Sequence, residues 1–482
     1  MIEFIGGLYQ ADYWFAKFLF QRALGVVYLI AFINALNQFI PLLGEDGLLP
    51  VPQFLNRMSF SKKPSLFHWH YSDRLLKVVA WTGILLSLSI ISGVALRGPF
   101  WISMLIWILL WGLYMSIVNI GVIFYSFGWE SMLLEAGFYA IFLGPLQWTA
   151  PVLVIWMLRW MLFRVEFGAG LIKMRGDPCW RELTCLNYHH ETQPQPNPLS
   201  WFFHQLPEPL HKTETFFNHV VQLGVVWGLF LPQPIASIAA SLIILSQAYL
   251  IISGNYSWLN WLTIILAVSG FSDGVIRQVF GFMPEAHSAV PLPFTILVGI
   301  LALIIIYLSI GPVKNMLSSH QKMNFSFNPI HLVNTYGAFG SVTKKRYEIV
   351  IEGTSDEEID EDTEWREYEF KGKPGDPTRR PPLVSPYHLR LDWQMWFAAM
   401  SRSYRRHPWF EPLIAKLLAN DPNVIGLLKD NPFPEEPPQY IRAQMYLYRF
   451  TGFRELRKTG QWWKREYQHE YMAPRSLNQA GP

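Results

Sequence analysis

The sequence predicts an all-α polytopic membrane helix bundle followed by a soluble α+β C-terminal domain. Three observations point there. Up to about Ile310 the chain carries repeated apolar runs, close to the roughly 20 residues a helix needs to cross a bilayer. Only 16% of the 482 residues are charged, against roughly 25% in a typical soluble domain, and the deficit sits in the first two thirds. From Gly311 onward the apolar runs give way to short alternating segments and Pro/Gly-rich stretches. The expected division is residues 1–311 in the membrane, with about five to nine spans, and residues 312–482 outside it.

The first span is expected at 18–40, with Arg22 near its start and Asn34 and Asn37 near its end. A polar loop at 44–77 holds the cluster His68-Trp69-His70. Spans at 78–96 and 100–125 are separated only by Arg97-Gly98-Pro99. Residues 128–143 are apolar yet carry Glu130 and Glu135. Residues 151–167 are apolar yet carry Arg159, Arg164 and Glu166. A large polar loop then occupies 164–215. Runs at 216–231, 235–252 and 293–310 read as further spans. The apolar stretch 258–271 is short, which suits a re-entrant, tilted or interfacial segment.

In the C-terminal part, residues 347–352 and 365–370 alternate as half-buried strands do. The segment between them is rich in acids. The expectation is a hairpin near 346–371 with a solvated acidic loop, since 356–364 lacks the spacing and glycine of an EF-hand. Residues 391–403, 410–418 and 423–428 read as helical, and so do 439–448 and 459–471.

Composition narrows the function. A net charge of +3 is too small to argue for nucleic acid. The 21 tryptophans suit membrane interfaces, where the indole sits half in water. Met1–Asp12 carries Glu3 and Asp12 and lacks a basic start, so no cleavable leader is expected. The closing Ser476–Pro482 shows no retention, prenylation or lipidation signal.

Charges inside apolar segments are costly and tend to pair or to line a cavity. Glu130 and Glu135 are candidate partners of Arg159 or Arg164, and Arg159 and Glu166 fall near one helix face. The set is either a structural ion-pair network or the lining of a polar cavity. Lys173 ends an apolar segment. It either snorkels to the interface or sits desolvated, where a lysine can act as a base. The histidines (His68, His70, His189, His190, His204 and His211) form no helical metal motif, so neither a metal nor another cofactor is expected. Cys179 and Cys185, the two cysteines of the chain, are either a disulfide in an oxidising compartment or two buried thiols. In the tail, Trp393, Trp396, Trp409, Arg405 and Arg406 are residue types enriched at interaction hot spots and are candidates for partner contact.

The loop carries the strongest likeness. Gly176-Asp177-Pro178-Cys179-Trp180-Arg181-Glu182-Leu183-Thr184-Cys185-Leu186 is followed by Tyr188-His189-His190-Glu191-Thr192-Gln193-Pro194-Gln195-Pro196-Asn197-Pro198. This stretch closely resembles the lipase maturation factor family, and 347–353, 365–374 and 381–399 resemble that family's C-terminal domain. The resemblance implies a multi-pass membrane protein that assists folding of secreted dimeric lipases and meets its client through the C-terminal domain. It also implies the endoplasmic reticulum in a eukaryote and the inner membrane in a bacterium. Asp177, Trp180, His189, His190, Glu191, Gln193 and Asn197 are the motif residues it singles out.

A second likeness is narrower. Phe167-Gly168-Ala169-Gly170-Leu171-Ile172-Lys173-Met174, with Asp177 and Trp180, is similar to the segment of vitamin K-dependent gamma-carboxylases that carries the catalytic-base lysine. It implies a membrane-embedded enzyme with Lys173 as base on a lipid-soluble substrate. The chain departs from that pattern in having one lysine where that segment has two, and in its tail. A non-catalytic membrane scaffold shares all the sequence features of the folding factor.

Overall fold

The computed structural model describes residues 12–281 and 287–477. The leader expectation for Met1–Asp12 falls, apart from Asp12, outside the described residues. So does most of the closing segment, from Asn478 on.

The N-terminal part is a bundle of helices. We number the principal ones α1 (Trp14–Leu43), α2 (Asp73–Ser92), α3 (Phe100–Ile120), α4 (Gly128–Ala140), α5 (Val152–Arg175), α6 (Leu186–Thr192), α7 (Glu208–His219), α8 (Ile235–Ser253), α9 (Leu259–Ala267) and α10 (Leu292–Leu308). Ser72 starts α2 by accepting a hydrogen bond from the Leu75 amide, and Gly93 ends it in the left-handed region at φ 81°, the usual division of labour at helix ends. Gly83 lets α1 and α2 approach closely. A Cβ there would lie 2.5 Å from the Phe32 ring, so only glycine fits.

Five helical segments among the described residues are long and apolar enough to cross a membrane: Trp14–Leu43, Asp73–Ser92, Phe100–Ile120, Ile235–Ser253 and Leu292–Leu317. The outer face of α10 shows what surrounds them. Ile296, Leu303 and Ile306 are all exposed, a continuous apolar surface that suits lipid rather than water. The short apolar stretch near 258–271 is α9 and one further turn, bent by 97° into Asp273–Phe280.

One expected span is not built as such. Residues 216–231 do not form a regular membrane helix. The end of α7 runs into a π-turn, Val220–Gly224, and then a 3-10 segment, Val225–Phe230. Gly224 and Gly228 interrupt the apolar run, and glycine is among the weakest residues in a helix interior.

The C-terminal part holds a four-stranded antiparallel sheet in the order β2-β1-β3-β4. The strands are β1 (Arg346–Thr354), β2 (Arg366–Glu367), β3 (Tyr440–Phe450) and β4 (Trp463–Arg475). β1 pairs with β2 through Glu352↔Glu367, and with β3 from Arg346↔Tyr448 to Thr354↔Tyr440. The acidic residues between β1 and β2 are exposed and fold onto one another, with Asp356 accepting from the Glu364 amide at 3.1 Å.

Residues 439–448 and most of 459–471, expected to be helical, are strands instead. The reason is burial on both faces of β3. Ile441, Ala443 and Met445 join the main core with α11 (Arg390–Ala399) and α12 (Phe410–Leu418). On the other face, Tyr448 and Phe450 pack with Trp463 and with Trp201 of the long loop. Only residues 453–459 of this region are helical.

The two parts interlock rather than sit side by side. One contiguous apolar core runs from Tyr28 and Phe124 in the bundle to Trp409 and Met445 in the C-terminal part.

Candidate functional site

The buried charges divide into two clusters, each closed by a residue far along the chain. Glu135 on α4 pairs with Arg164 on α5. Its carboxylate also accepts from the Asn334 amide and side chain, both at 3.0 Å, from the Tyr336 hydroxyl at 2.8 Å and from the Tyr139 hydroxyl at 2.9 Å. Glu130, one turn earlier on α4, pairs with Arg390 of α11 at 2.8 Å and accepts from the Tyr114 hydroxyl at 2.5 Å. Arg390 donates further to Asn34 Oδ1 at 2.8 Å and to the Phe124 carbonyl at 2.6 Å.

Two expected pairings are not made. Glu130 takes neither Arg159 nor Arg164. Arg159 bonds no carboxylate among the described residues; it donates to the carbonyls of Ser269 (2.9 Å) and Leu229 (3.1 Å) and lies over the Tyr13 and Trp156 rings. The cause is helical phase. Arg159 and Arg164 are about 140° apart around α5, so only one can face α4. Arg159 and Glu166 share a face but stand about 10 Å apart along it. Glu166 accepts instead from Gln247 at 2.6 Å.

The motif loop is fastened by its own polar residues. Asp177 caps the short helix Pro178–Arg181 by accepting from the Cys179 amide at 3.0 Å. Cys179 and Cys185 are joined in a disulfide, with Cα atoms 4.9 Å apart. Trp180 donates to the Phe339 carbonyl at 2.7 Å. The His189 ring lies 2.9 Å from the Tyr256 hydroxyl. Glu191 accepts from the Phe450 amide at the end of β3, at 2.6 Å. Gln193 donates to the Ser253 carbonyl at 3.0 Å, and Asn197 to the Ile251 carbonyl at 3.1 Å, tying the loop to the end of α8. Arg346, first residue of β1, gathers the carbonyls of Glu191, Gln193 and Pro194. These motif residues are consumed in holding the loop between membrane helix and sheet. Burial, with the charge of Lys173 added, pushes His189 down to about 4. Burial beside His211 does the same to His204. Both are neutral at neutral pH.

His190 is fastened to nothing of this kind. It faces His211 and Glu214 of α7, and one ligand atom from each lies within 4.8 Å of the others. His190 and His211 stand among the histidines that form no helical metal motif, and Glu214 was not singled out; the grouping spans two helices, so no single-helix spacing reveals it.

A cavity of about 710 Å³ lies where bundle, loop and C-terminal part meet, within the roughly 300–1,000 Å³ range of ligand sites. Most of its wall is apolar. Its polar groups include Glu166 and Lys173 of α5, Asn218 and Gln222 after the loop, and Gln247 and Asn260 of α8 and α9. Trp180 and His189 of the loop, and Trp393 and Trp396 of α11, complete it. Lys173 does not snorkel. It is buried, donating to Asn218 Oδ1 at 2.7 Å and Gln222 Oε1 at 3.0 Å, with its ammonium 4.8 Å from the Trp180 ring centre. No carboxylate among the described residues forms an ion pair with it. Asn218 and Gln222 were missed because they stand in the run read as a membrane span.

The candidates for partner contact separate by burial. Trp409 is 0% and Trp393 4% exposed, so both are core residues and not contact residues. Trp396 is half-buried and donates to the Thr192 carbonyl at 3.1 Å. Arg405 and Arg406 are exposed on the 3-10 turn Tyr404–Arg406 and remain available.

The comparisons with known proteins cover both parts. The lipase maturation factor transmembrane domain matches residues 15–278, and the lipase maturation factor C-terminal domain matches residues 332–473. The chain is 42% identical to lipase maturation factor 1 of Homo sapiens over 98% of its own length and 90% of the relative's. It is 42% identical to the Mus musculus protein of the same name, over 98% and 88%. It is 30% identical to lipase maturation factor 2 of Xenopus laevis, over 95% and 82%. No solved structure matches. With the apolar helices described above, these matches make the chain an integral membrane protein that belongs to the lipase maturation factor family.

Proposed function

We propose that this protein is a membrane-anchored maturation factor that assists the folding of secreted lipases or related hydrolases. The observation that carries the reading is the 42% identity to relatives named lipase maturation factor 1, spread over 98% of the chain. The helix bundle anchors the protein, and the motif loop and C-terminal part act as one body on the side where the client folds. The Cys179–Cys185 pairing supports an oxidising side for the loop. That side is the lumen of the endoplasmic reticulum in a eukaryote and the outer face of the inner membrane in a bacterium. The exposed Arg405 and Arg406 are the contact residues on this reading.

The test is crosslinking from the C-terminal part to co-expressed secreted lipase, paired with lipase activity in cells lacking the protein. Capture of the lipase, with activity lost on deletion and restored on re-expression, supports the proposal. No capture, with unchanged lipase activity, overturns it.

A further inference from the structure

His190 sits near the end of α6 and is 1% exposed. Neither of its ring nitrogens has a hydrogen-bond partner among the described residues. A neutral imidazole brings one N–H and one lone pair into the interior, and native interiors rarely leave both unmatched. The ring stacks on Phe203, at 5.7 Å between centroids, and lies 5.6 Å from the His211 ring. Packing therefore fixes its direction without satisfying its polar atoms.

What it faces is a donor set. His211 and Glu214 are three residues apart on α7, on one face of the helix. Their own contact is His211 Nδ1 to Glu214 Oε2 at 3.4 Å. Among the described residues Glu214 forms no ion pair with lysine or arginine. The cluster thus offers two imidazoles and one carboxylate that pairs with no lysine or arginine among the described residues, with the Tyr249 hydroxyl beside Glu214.

We propose that His190, His211 and Glu214 bind a divalent transition-metal cation of the zinc class. Imidazole and carboxylate together suit zinc better than magnesium or calcium, which prefer all-oxygen sets. Three protein ligands leave a fourth position open. Glu214 also forms part of the cavity wall, so that position is reached from the cavity by water or by a polar group of a bound molecule. The cation ties α6 to α7 and so clamps the part of the loop that the disulfide, nearer its start, does not reach. The inference does not depend on the folding role.

The experiment uses the full-length protein, purified in detergent with its disulfide intact and stripped with chelator. It is titrated with Co²⁺ as a visible probe, and Zn²⁺ content is measured after dialysis. The expected result is one equivalent per chain, a visible band typical of four-coordinate nitrogen and oxygen ligands, and displacement of Co²⁺ by Zn²⁺. Glu214→Gln keeps the shape of its side chain, and His190→Phe keeps the stacking on Phe203. Each should weaken binding beyond the roughly 10–100-fold that loss of an outer-shell partner causes. Replacing the loop histidines His68 and His70 by Phe should leave it unchanged. The proposal is overturned by absence of stoichiometric uptake, or by uptake that persists in Glu214→Gln. Because Glu214→Gln is a mild change, it decides the matter even if His190→Phe fails to fold.

Discussion

Glu130 and Arg390 form a fully buried ion pair at 2.8 Å, although 260 residues separate them and one belongs to the helix bundle, the other to the C-terminal part. Arg390 also carries Asn34 of α1 and the Phe124 carbonyl, so one side chain ties three elements together. Loss of one member of such a pair strands the other charge, at a cost of about 3–5 kcal/mol. Arg390→Ala should therefore unfold or detach the C-terminal part, seen as early cleavage there in limited proteolysis. Replacing both residues by apolar ones of similar size should be milder than either single change. Equal damage from the double replacement would show that the pair is not what joins the parts.

The second cluster predicts an asymmetry. Glu135 keeps Asn334, Tyr336 and Tyr139 as donors if Arg164 is removed. Arg164 without Glu135 keeps the Asn334 carbonyl at 2.6 Å but no counter-charge among the described residues. Arg164→Met should thus be tolerated better than Glu135→Leu, by a margin on the order of 1–3 kcal/mol, the cost of leaving a buried polar group unmatched. Thermal unfolding of the two variants in the same detergent measures it, and the reverse order would refute the assignment.

The Cys179–Cys185 disulfide closes a short ring, with a sequence separation of 6. The chain-entropy relation then gives about 2 kcal/mol of stabilisation. Cys179→Ser should lower stability by about that amount and loosen Trp180, which the ring holds against the Phe339 carbonyl. Thiol labelling of the intact protein should succeed only after reduction. Labelling without reduction would place the loop on a reducing side and remove the oxidising-compartment reading.

What could be read from the sequence follows from the range of each signal. A charge in an apolar run stands out, so Glu130, Glu135, Arg159, Arg164 and Glu166 were all legible as unusual. Their partners were not, because Asn334 and Arg390 are brought to them by tertiary folding alone. The disulfide was legible as one of two alternatives because its cysteines are neighbours. The His190, His211 and Glu214 grouping was hidden, since a motif search reads one helix at a time. The strands β3 and β4 were misread as helices because Arg442, Gln444, Arg449 and Lys464 are helix-compatible residues. The buried set Ile441, Ala443, Met445 and Leu447 shows the period of two that decides for a strand.

Partner contact can be separated from core packing in the tail. Arg405→Glu together with Arg406→Glu touches only exposed side chains and should leave thermal stability unchanged while weakening capture of a lipase. Trp409→Ala empties a fully buried site, which costs about 3–5 kcal/mol for a large aromatic, and should lower the amount of folded protein. Undiminished capture by the Arg405/Arg406 variant would move the contact surface elsewhere.

Lys173 distinguishes a folding factor from an enzyme. Its ammonium is held by two amide oxygens, Asn218 Oδ1 and Gln222 Oε1, and by the Trp180 ring. In a folding factor this fixes the end of α5 against the segment after α7 and need do nothing more. Lys173→Met keeps the length of the side chain and removes the charge and both hydrogen bonds. The folded yield should fall, while lipase maturation per folded molecule stays within about twofold, since remote stability changes act on abundance rather than on specific activity. A catalytic base behaves differently, because general-base removal typically lowers rate by about 10²–10⁴-fold at unchanged folded yield. Normalising lipase activity to the amount of folded variant therefore separates the two. A loss in that range would make Lys173 a reacting group and this cavity an active site.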